Sequence, residues 1–235
     1  MSIPTRYHLV LDRIARAARR AGRRPEAVQL VVVTKGHPLE AVRQVVEAGA
    51  RHLGENYLEE ALPKIEALGD EPLIWHMIGH VQSRKARPVA EHFAWVHSVD
   101  RLKLARRLSA FAAESGRTLP VLLECNVSGE ESKFGWPAWD ERAWPALADE
   151  LAPLLELPAL DVRGLMTMAP FVDDPEEVRP VFRRLRSLRD FLARRFPRLP
   201  WEHLSMGMSG DFEVAIEEGA TFVRVGTAIM GPRRG

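Results

Sequence analysis

Lysine is rare in this chain, and Lys35 lies where a lysine can do covalent chemistry. Of 33 basic residues only five are lysines. Lys35 follows Thr34 and the apolar residues 31–33, which are typical of a buried strand. Poor solvation there disfavours the charged ammonium and leaves an amine that can attack a carbonyl carbon. Lys35 is therefore a candidate for Schiff-base formation, and the alternative is that its side chain only reaches solvent from a strand end.

Two segments late in the chain contain groups that bind phosphate. Ser209 lies just before a helix predicted to begin near Asp211, and Gly226 and Thr227 follow a predicted strand. Backbone N–H groups and hydroxyls in such loops commonly hold phosphate oxygens. A reactive lysine together with a phosphate site suggests pyridoxal 5'-phosphate (PLP) as the cofactor.

Arg224 lies near the end of the predicted strand that precedes this phosphate segment. A cofactor attached to Lys35, with its phosphate at the last two loops, would lay its pyridine ring near Arg224. Because a guanidinium keeps its proton, it would donate to an unprotonated ring nitrogen and weaken the ring as an electron sink. The alternative is an ion pair between Arg224 and a strand-end carboxylate such as Glu55.

Other motifs carry less chemistry. His76 and His80 have the H-x-x-x-H spacing, but metal ligands at that spacing need a helix, and this pair straddles a predicted strand end and Gly79, so no metal site is predicted. Cys125 lies in an apolar strand and is expected to pack. Residues 207–210 fall one residue short of the G-x-S-x-G elbow, which disfavours a serine hydrolase.

The elements that position these residues alternate along the chain. Strands are predicted at 29–34, 52–54, 73–78, 95–98, 121–126, 162–167, 202–205 and 221–225. Helices are predicted at 39–48, 58–68, 83–90, 101–114, 139–155, 176–195 and 211–218. Eight such units in 235 residues favour an α/β fold with one closed (β/α)8 TIM barrel, residues 1–235, over a doubly wound sheet. The candidate residues then follow strand ends, at the face where barrel active sites lie.

Residues 1–24 hold seven arginines against one acid, Asp12. A nucleic-acid-binding arm and an organellar transit peptide are two explanations. Apolar residues at helical spacing instead favour an extra amphipathic helix, packed on the barrel with its arginines solvated. They are Leu9, Val10, Ile14, Ala17, Ala18 and Ala21.

Composition excludes several classes of protein. With 46% hydrophobic residues and a net charge of +1, the chain can bury a core and is not disordered. No apolar run is long enough to span a bilayer. One cysteine and no recognisable leader predict a cytoplasmic protein. We expect no nucleic-acid or membrane partner and a monomer or weak dimer.

Seven motifs, in order along nearly the whole chain, resemble those of the pyridoxal phosphate homeostasis proteins, relatives of the alanine-racemase barrel (PLP fold type III). They are VVTK (32–35), GENY (54–57), HMIG (76–79) with Gln82 and Lys85, VSGEESKFG (127–135), RGLMTMAP (163–170), LSMGMS (204–209) with Asp211, and VRVGTAIMG (223–231). One departure lies at 80–85, where the family more often has leucine before the glutamine and asparagine before the lysine.

The resemblance implies a role for each candidate residue. Lys35 would form the internal aldimine and Arg224 would face the ring nitrogen. Ser209, Gly226 and Thr227 would hold the phosphate. Four residues would line the ring: Asn56, His76, Met166 and Met206.

The resemblance implies a carrier rather than an enzyme. Such a protein binds, buffers and delivers PLP through a reversible aldimine, with PLP-dependent apoenzymes as recipients. The alternative is a weak amino-acid racemase. Alanine racemases that resemble this barrel use a tyrosine from a further β-domain as second base, and here only Tyr7 and Tyr57 exist.

Overall fold

Eight parallel strands close into a barrel in the computed structural model, which describes residues 1–232. The barrel strands are β1 (Gln29–Val33), β2 (His52–Glu55), β3 (Ile74–Met77), β4 (Trp95–Val99), β5 (Leu119–Asn126), β7 (Leu160–Met166), β8 (His203–Ser205) and β9 (Phe222–Val225). Neighbours run in the order β4-β3-β2-β1-β9-β8-β7-β5, and β4 pairs with β5 to close the ring. The predicted TIM barrel is confirmed.

A further short strand, β6 (Trp136–Pro137), pairs with the end of β5, with Cys125 opposite Trp136. The Trp136 indole donates a hydrogen bond to the carbonyl of Val99 at 3.1 Å. Two residues are too few to give an alternating pattern, so the sequence did not predict this strand.

Helices surround the barrel. They are α1 (Ile3–Arg20), α2 (Leu39–Glu47), α3 (Leu58–Ala67), α4 (Ala86–His92), α5 (Leu102–Glu114), α6 (Trp144–Leu155), α7 (Arg179–Arg195), α8 (Phe212–Glu217) and α9 (Thr227–Met230). None of those in residues 1–232 is both long and apolar enough to cross a membrane.

Two helices begin later than predicted, and proline explains the shift. Pro145 and Pro180 occupy the second positions of α6 and α7. Proline has no backbone N–H to donate, and in the first turn of a helix that N–H has no intrahelical acceptor. Short 3₁₀ turns precede both helices, at Glu141–Ala143 and Pro175–Val178.

Helix α1 packs on the barrel by the predicted apolar stripe, but its arginines are not simply solvated. Arg13 and Arg20 pair with Glu213 and Glu217 of α8 at 2.8 and 2.9 Å. Leu9, predicted to lie in the stripe, is exposed. Because Arg13 and Arg20 bind α8, part of the positive charge of α1 serves packing on the barrel.

Strand residues alternate between the barrel interior and the helical shell, as the pleat requires. Four of them pack together inside the barrel: Val31, Leu122, Met166 and Phe222. Their strand neighbours join the larger cluster shared with the helices, for example Val32, Leu123, Leu165 and Val223.

Candidate functional site

A cavity opens at the carboxyl ends of the barrel strands, where barrel enzymes have their active sites. The cavity has a volume of about 210 Å³. Six of the nine predicted cofactor-binding residues line it: Lys35, Asn56, Ser209, Arg224, Gly226 and Thr227.

Three predicted ring-lining residues do not line this cavity. His76 and Met166 lie two positions before Ile78 and Met168, which do line it. Two residues along a strand span about 7 Å, so both are one barrel layer too deep. Met206 follows Ser205, whose side chain contacts groups inside the barrel, and Met206 itself packs in the outer cluster.

Lys35 lies two residues beyond β1, half-buried and lining the cavity. Hydrogen bonds beneath it fix the start of this segment. The Thr34 hydroxyl donates to Glu55 Oε1 at 2.6 Å, and Lys64 Nζ contacts the same oxygen at 2.7 Å and the Thr34 carbonyl at 2.9 Å. The amide of Gly36 donates to Glu60 at 2.7 Å. The segment that carries Lys35 is therefore held on both sides.

Glu55 and Lys64 form a buried ion pair, with side chains 0% and 8% exposed. Burial raises the pKa of Glu55, and the hydrogen bonds from Lys64 and Thr34 oppose that shift. This pair was not predicted. A lysine on the buried face of α3, facing an acid at a strand end, was the signal available.

The position of Asn56 in the cavity wall depends on the close approach of its backbone to Gly79. A Cβ on Gly79 would lie 2.4 Å from the Asn56 carbonyl oxygen, so only glycine allows β2 and β3 to end this close together. Asn56 Oδ1 is buried, and within the described chain it has no hydrogen-bond partner. The cavity wall thus offers an acceptor for a polar ligand.

Arg224 is almost fully buried at the base of the cavity. It donates to Ser205 Oγ at 2.6 Å and to the Thr167 carbonyl at 2.9 Å. The alternative ion pair with Glu55 does not form, since Glu55 binds Lys64 instead. Burial lowers the pKa of Arg224 to about 10, against opposing effects of Glu124 and Asp211, so the guanidinium stays charged at neutral pH.

The two loops predicted to bind phosphate meet at one side of the cavity. Ser209 Oγ accepts a hydrogen bond from the amide of Ala228 at 3.2 Å, which joins the loop after β8 to the start of α9. Asp211 accepts from the amide of Met208 and closes the first loop. Gly207 has a φ of 94°, and a Cβ there would lie 2.6 Å from the Cβ of Ala215. The geometry brings hydroxyls and glycine backbone together, as a phosphate site requires.

Glu124 of β5 was not predicted as a site residue. It lines a second cavity beside the first, and Asn56, Ile78 and Met168 line both. Burial raises the pKa of Glu124 to about 7, with a smaller contribution from Asp100 in the same direction. An acid inside the apolar residues 121–125 was the signal that could have identified it.

The remaining motifs lie outside this chemistry. His76 is buried, whereas His80 is exposed and contacts Asp100 at 3.0 Å. No group of three or more histidine, cysteine or acidic side chains in residues 1–232 could hold a metal ion. Burial raises the pKa of the Cys125 thiol, which opposes thiolate formation.

Neither tyrosine lines the first cavity. Tyr7 is buried in α1, outside the barrel, and Tyr57 precedes α3, 55% exposed, and lines the second cavity. Among the described residues that line the first cavity, the titratable side chains are Lys35, Asp211 and Arg224.

Comparison with known proteins agrees with this geometry. The family described as "Alanine racemase, N-terminal domain" matches residues 9–234. The chain is 49% identical over 224 residues to the pyridoxal phosphate homeostasis protein of Pseudomonas aeruginosa, covering 95% of this chain and 93% of that one. It is 43% identical over 235 residues to the protein of the same name from Aquifex aeolicus, covering 100% of both.

Solved structures show the same barrel. PipY of Synechococcus elongatus PCC7942, with PLP bound, superposes with a TM-score of 0.80 at 40% identity, covering 93% of this chain and 100% of that chain. An alanine racemase of Clostridium difficile 630 shares the fold at 15% identity and a TM-score of 0.72, and this chain covers 56% of it. The chain therefore belongs to the alanine racemase N-terminal domain family and, within it, to the pyridoxal phosphate homeostasis proteins.

Proposed function

We propose that this protein binds PLP in the first cavity, through a reversible covalent bond to Lys35 Nζ, and serves intracellular PLP homeostasis as a carrier. The observation that carries the proposal is that Lys35 shares one cavity with Arg224 and with both loops that are predicted to bind phosphate. When bound, PLP supplies an aldehyde that condenses with an amine, and water leaves as the carbon–nitrogen double bond forms, giving the aldimine expected from the sequence.

The residues present fit such a group. Ser209, Gly226 and Thr227 supply hydroxyls and backbone on one side of the cavity, and Lys35 follows β1, which pairs with β9. The buried Oδ1 of Asn56, which has no hydrogen-bond partner within residues 1–232, would accept a hydrogen bond from a polar group of the ligand. Arg224 carries the positive charge at the base.

Arg224 favours storage over turnover. Its guanidinium only donates hydrogen bonds, so it faces a ring nitrogen that has no proton. A ring nitrogen without a proton withdraws electrons from bound amino groups less well, which handicaps reactions that pass through a carbanion. Arg224 would therefore hold the cofactor without strongly activating it for further chemistry.

The lining also argues against an amino-acid racemase. A two-base mechanism needs a second proton-transfer group opposite the lysine. Among the described lining residues Arg224 keeps its proton at neutral pH, and the carboxylate of Asp211 already accepts from the amide of Met208. Tyr57 lies in the neighbouring cavity. Carriage of PLP to recipient apoenzymes needs no second base.

The test is a titration of the purified protein with PLP, followed by visible absorbance. We expect a new absorption band that saturates at one equivalent and is lost in Lys35→Ala. The double variant Ser209→Ala with Thr227→Val should weaken binding of PLP by about tenfold or more, since hydrogen bonds to a charged group are lost, and should affect pyridoxal much less.

Two further assays distinguish a carrier from an enzyme. The loaded protein should restore activity to a PLP-dependent apoenzyme, and it should not racemise alanine above the rate of free PLP. Saturable racemisation that requires Lys35 would contradict the carrier function. Failure of the wild type to acquire any absorption band in excess PLP would contradict the cofactor itself.

A further inference from the structure

A continuous chain of hydrogen bonds crosses the barrel core below the cavity. His52 Nδ1 lies 2.9 Å from His76 Nε2, and His76 Nδ1 lies 2.9 Å from His97 Nε2. His97 Nδ1 lies 2.9 Å from Ser205 Oγ, which is 2.6 Å from Arg224 Nη1. The chain thus links three histidines on neighbouring strands, β2, β3 and β4, to the base of the cavity.

Arg224 fixes the direction of every bond in this chain. A guanidinium donates and cannot accept, so the Ser205 hydroxyl accepts from Arg224 and is left to donate its own proton to His97 Nδ1. A neutral imidazole that accepts at Nδ1 carries its proton on Nε2. His97 then donates from Nε2 to His76 Nδ1, and His76 donates from Nε2 to His52 Nδ1.

The surroundings keep the chain neutral. His76 and His97 are fully buried, and aromatic rings pack against them, with Phe222 5.7 and 5.2 Å from their ring centres. Burial lowers the pKa of both imidazoles well below its usual value. Protonation of both His76 and His97 would also place two positive charges close to the charged Arg224.

We propose that His97 and Ser205 are positioning residues for Arg224: the one-directional chain His52–His76–His97–Ser205 presents the Ser205 hydroxyl as an acceptor to its guanidinium and holds it towards the cavity. In every bond of the chain the donor lies on the side of the arginine and the acceptor on the side of His52, so the dipoles reinforce one another. The charge of Arg224 is fixed by neutral groups, the Ser205 hydroxyl and the Thr167 carbonyl, and no carboxylate hydrogen-bonds to it among the described residues.

The consequence for the cavity rests on the proposed function. A guanidinium neutralised by a contacting carboxylate would be a poorer donor to a ring nitrogen. Because neutral acceptors hold it, Arg224 keeps its charge and a fixed orientation. Both are needed by a group that donates a hydrogen bond to the ring nitrogen and never gives up its proton.

The first test needs no cofactor and no substitution. Protein labelled with ¹⁵N-histidine and free of PLP is examined by two-bond ¹H–¹⁵N correlation NMR, which distinguishes the two neutral tautomers. We expect His76 and His97 to carry the proton on Nε2 only and to keep it there from pH 6 to 8. A proton on Nδ1 of His97, or a mixture of tautomers, would overturn the proposal.

Variants test the direction and the positioning role. In Arg224→Met the direction of the hydrogen bonds is no longer imposed, so His97 and His76 should lose their single tautomer. The exposed Arg106→Met should leave both tautomers unchanged.

In His97→Leu the guanidinium protons of Arg224 should exchange with solvent about tenfold faster. His97→Gln, which retains an acceptor, should largely restore the slow exchange. Unchanged exchange in His97→Leu would make His97 a packing residue only. If that variant does not fold, the tautomers of the wild type still decide.

These outcomes are independent of PLP binding. A protein that loads PLP at Lys35 but shows mixed tautomers would refute the chain and leave the proposed function intact. A protein that shows the single Nε2 tautomers but does not load PLP at Lys35 would refute the proposed function and leave the hydrogen-bond chain intact.

Discussion

Lys64 Nζ lies 2.7 Å from Glu55 Oε1, and both side chains are buried beneath the segment that carries Lys35. Lys64 also donates to the Thr34 carbonyl, one residue before Lys35. The lysine on α3 therefore supports the candidate Schiff-base lysine that follows β1, and it does not itself line the first cavity.

Substitution Lys64→Met should destabilise the protein by about 3–5 kcal/mol, because it leaves the Glu55 carboxylate buried without its cation. Urea unfolding measures this loss. The exposed Lys103→Met is the matched control and should change stability by less than about 0.5 kcal/mol.

The double variant Glu55→Gln with Lys64→Met should recover much of the lost stability, since no unpaired charge is left. Equal losses in the single and double variants would show that the pair contributes by packing rather than by charge.

Gly79→Ala should disturb the cavity through Asn56. The new Cβ would lie 2.4 Å from the Asn56 carbonyl oxygen, so the ends of β2 and β3 must separate. We expect lower stability, by about 1–3 kcal/mol, and weaker PLP binding in the absorbance titration. Gly69→Ala, where a Cβ would meet its nearest atom at 3.5 Å, is the control. Wild-type affinity in Gly79→Ala would contradict the role of this close approach.

Glu124 should make stability depend on pH. Its carboxyl keeps a proton in the folded state up to about pH 7, whereas an unperturbed glutamate loses it near 4.5. The folded state therefore binds more protons between these values, and the wild type loses stability as pH rises through that window. A shift of this size corresponds to about 3 kcal/mol.

Glu124→Gln lacks this pH-dependent contribution of the carboxyl group. Its free energy of unfolding relative to wild type should therefore rise by about 3 kcal/mol between pH 4 and pH 8. The exposed Glu156→Gln, measured in parallel, is the matched control for the loss of one carboxyl group. Parallel pH profiles for Glu124→Gln and wild type would mean that the folded protein does not hold that proton.

The sequence predicted the barrel because burial of a parallel strand leaves a direct mark on residue types. Runs such as 30–33, between helical patterns, indicated each strand, and strand ends indicated the mouth where Lys35 and Arg224 lie. These features depend on local composition, which one sequence contains.

Depth inside the barrel was harder to predict. His76 belongs to a motif that reaches the mouth, yet it lies one layer below Ile78, and its partner His97 is on the next strand. Side chains alternate along a strand, so Ser205 and Met206 point in opposite directions. With Ser205 inside the barrel, Met206 faces the helices. Contacts between residues far apart in the chain, such as Ser205 with His97, depend on register and strand tilt, which no local pattern reports.

The central claim is that Lys35 forms the covalent bond to PLP. The direct measurement is borohydride reduction of the PLP-loaded protein, followed by peptide mass spectrometry, with Lys35→Ala treated in parallel. We expect one pyridoxyl group per chain, on Lys35, and none at equivalent yield in the variant. A wild type that stays unlabelled in excess PLP, or labelling of another lysine with Lys35 unmodified, would contradict the claim.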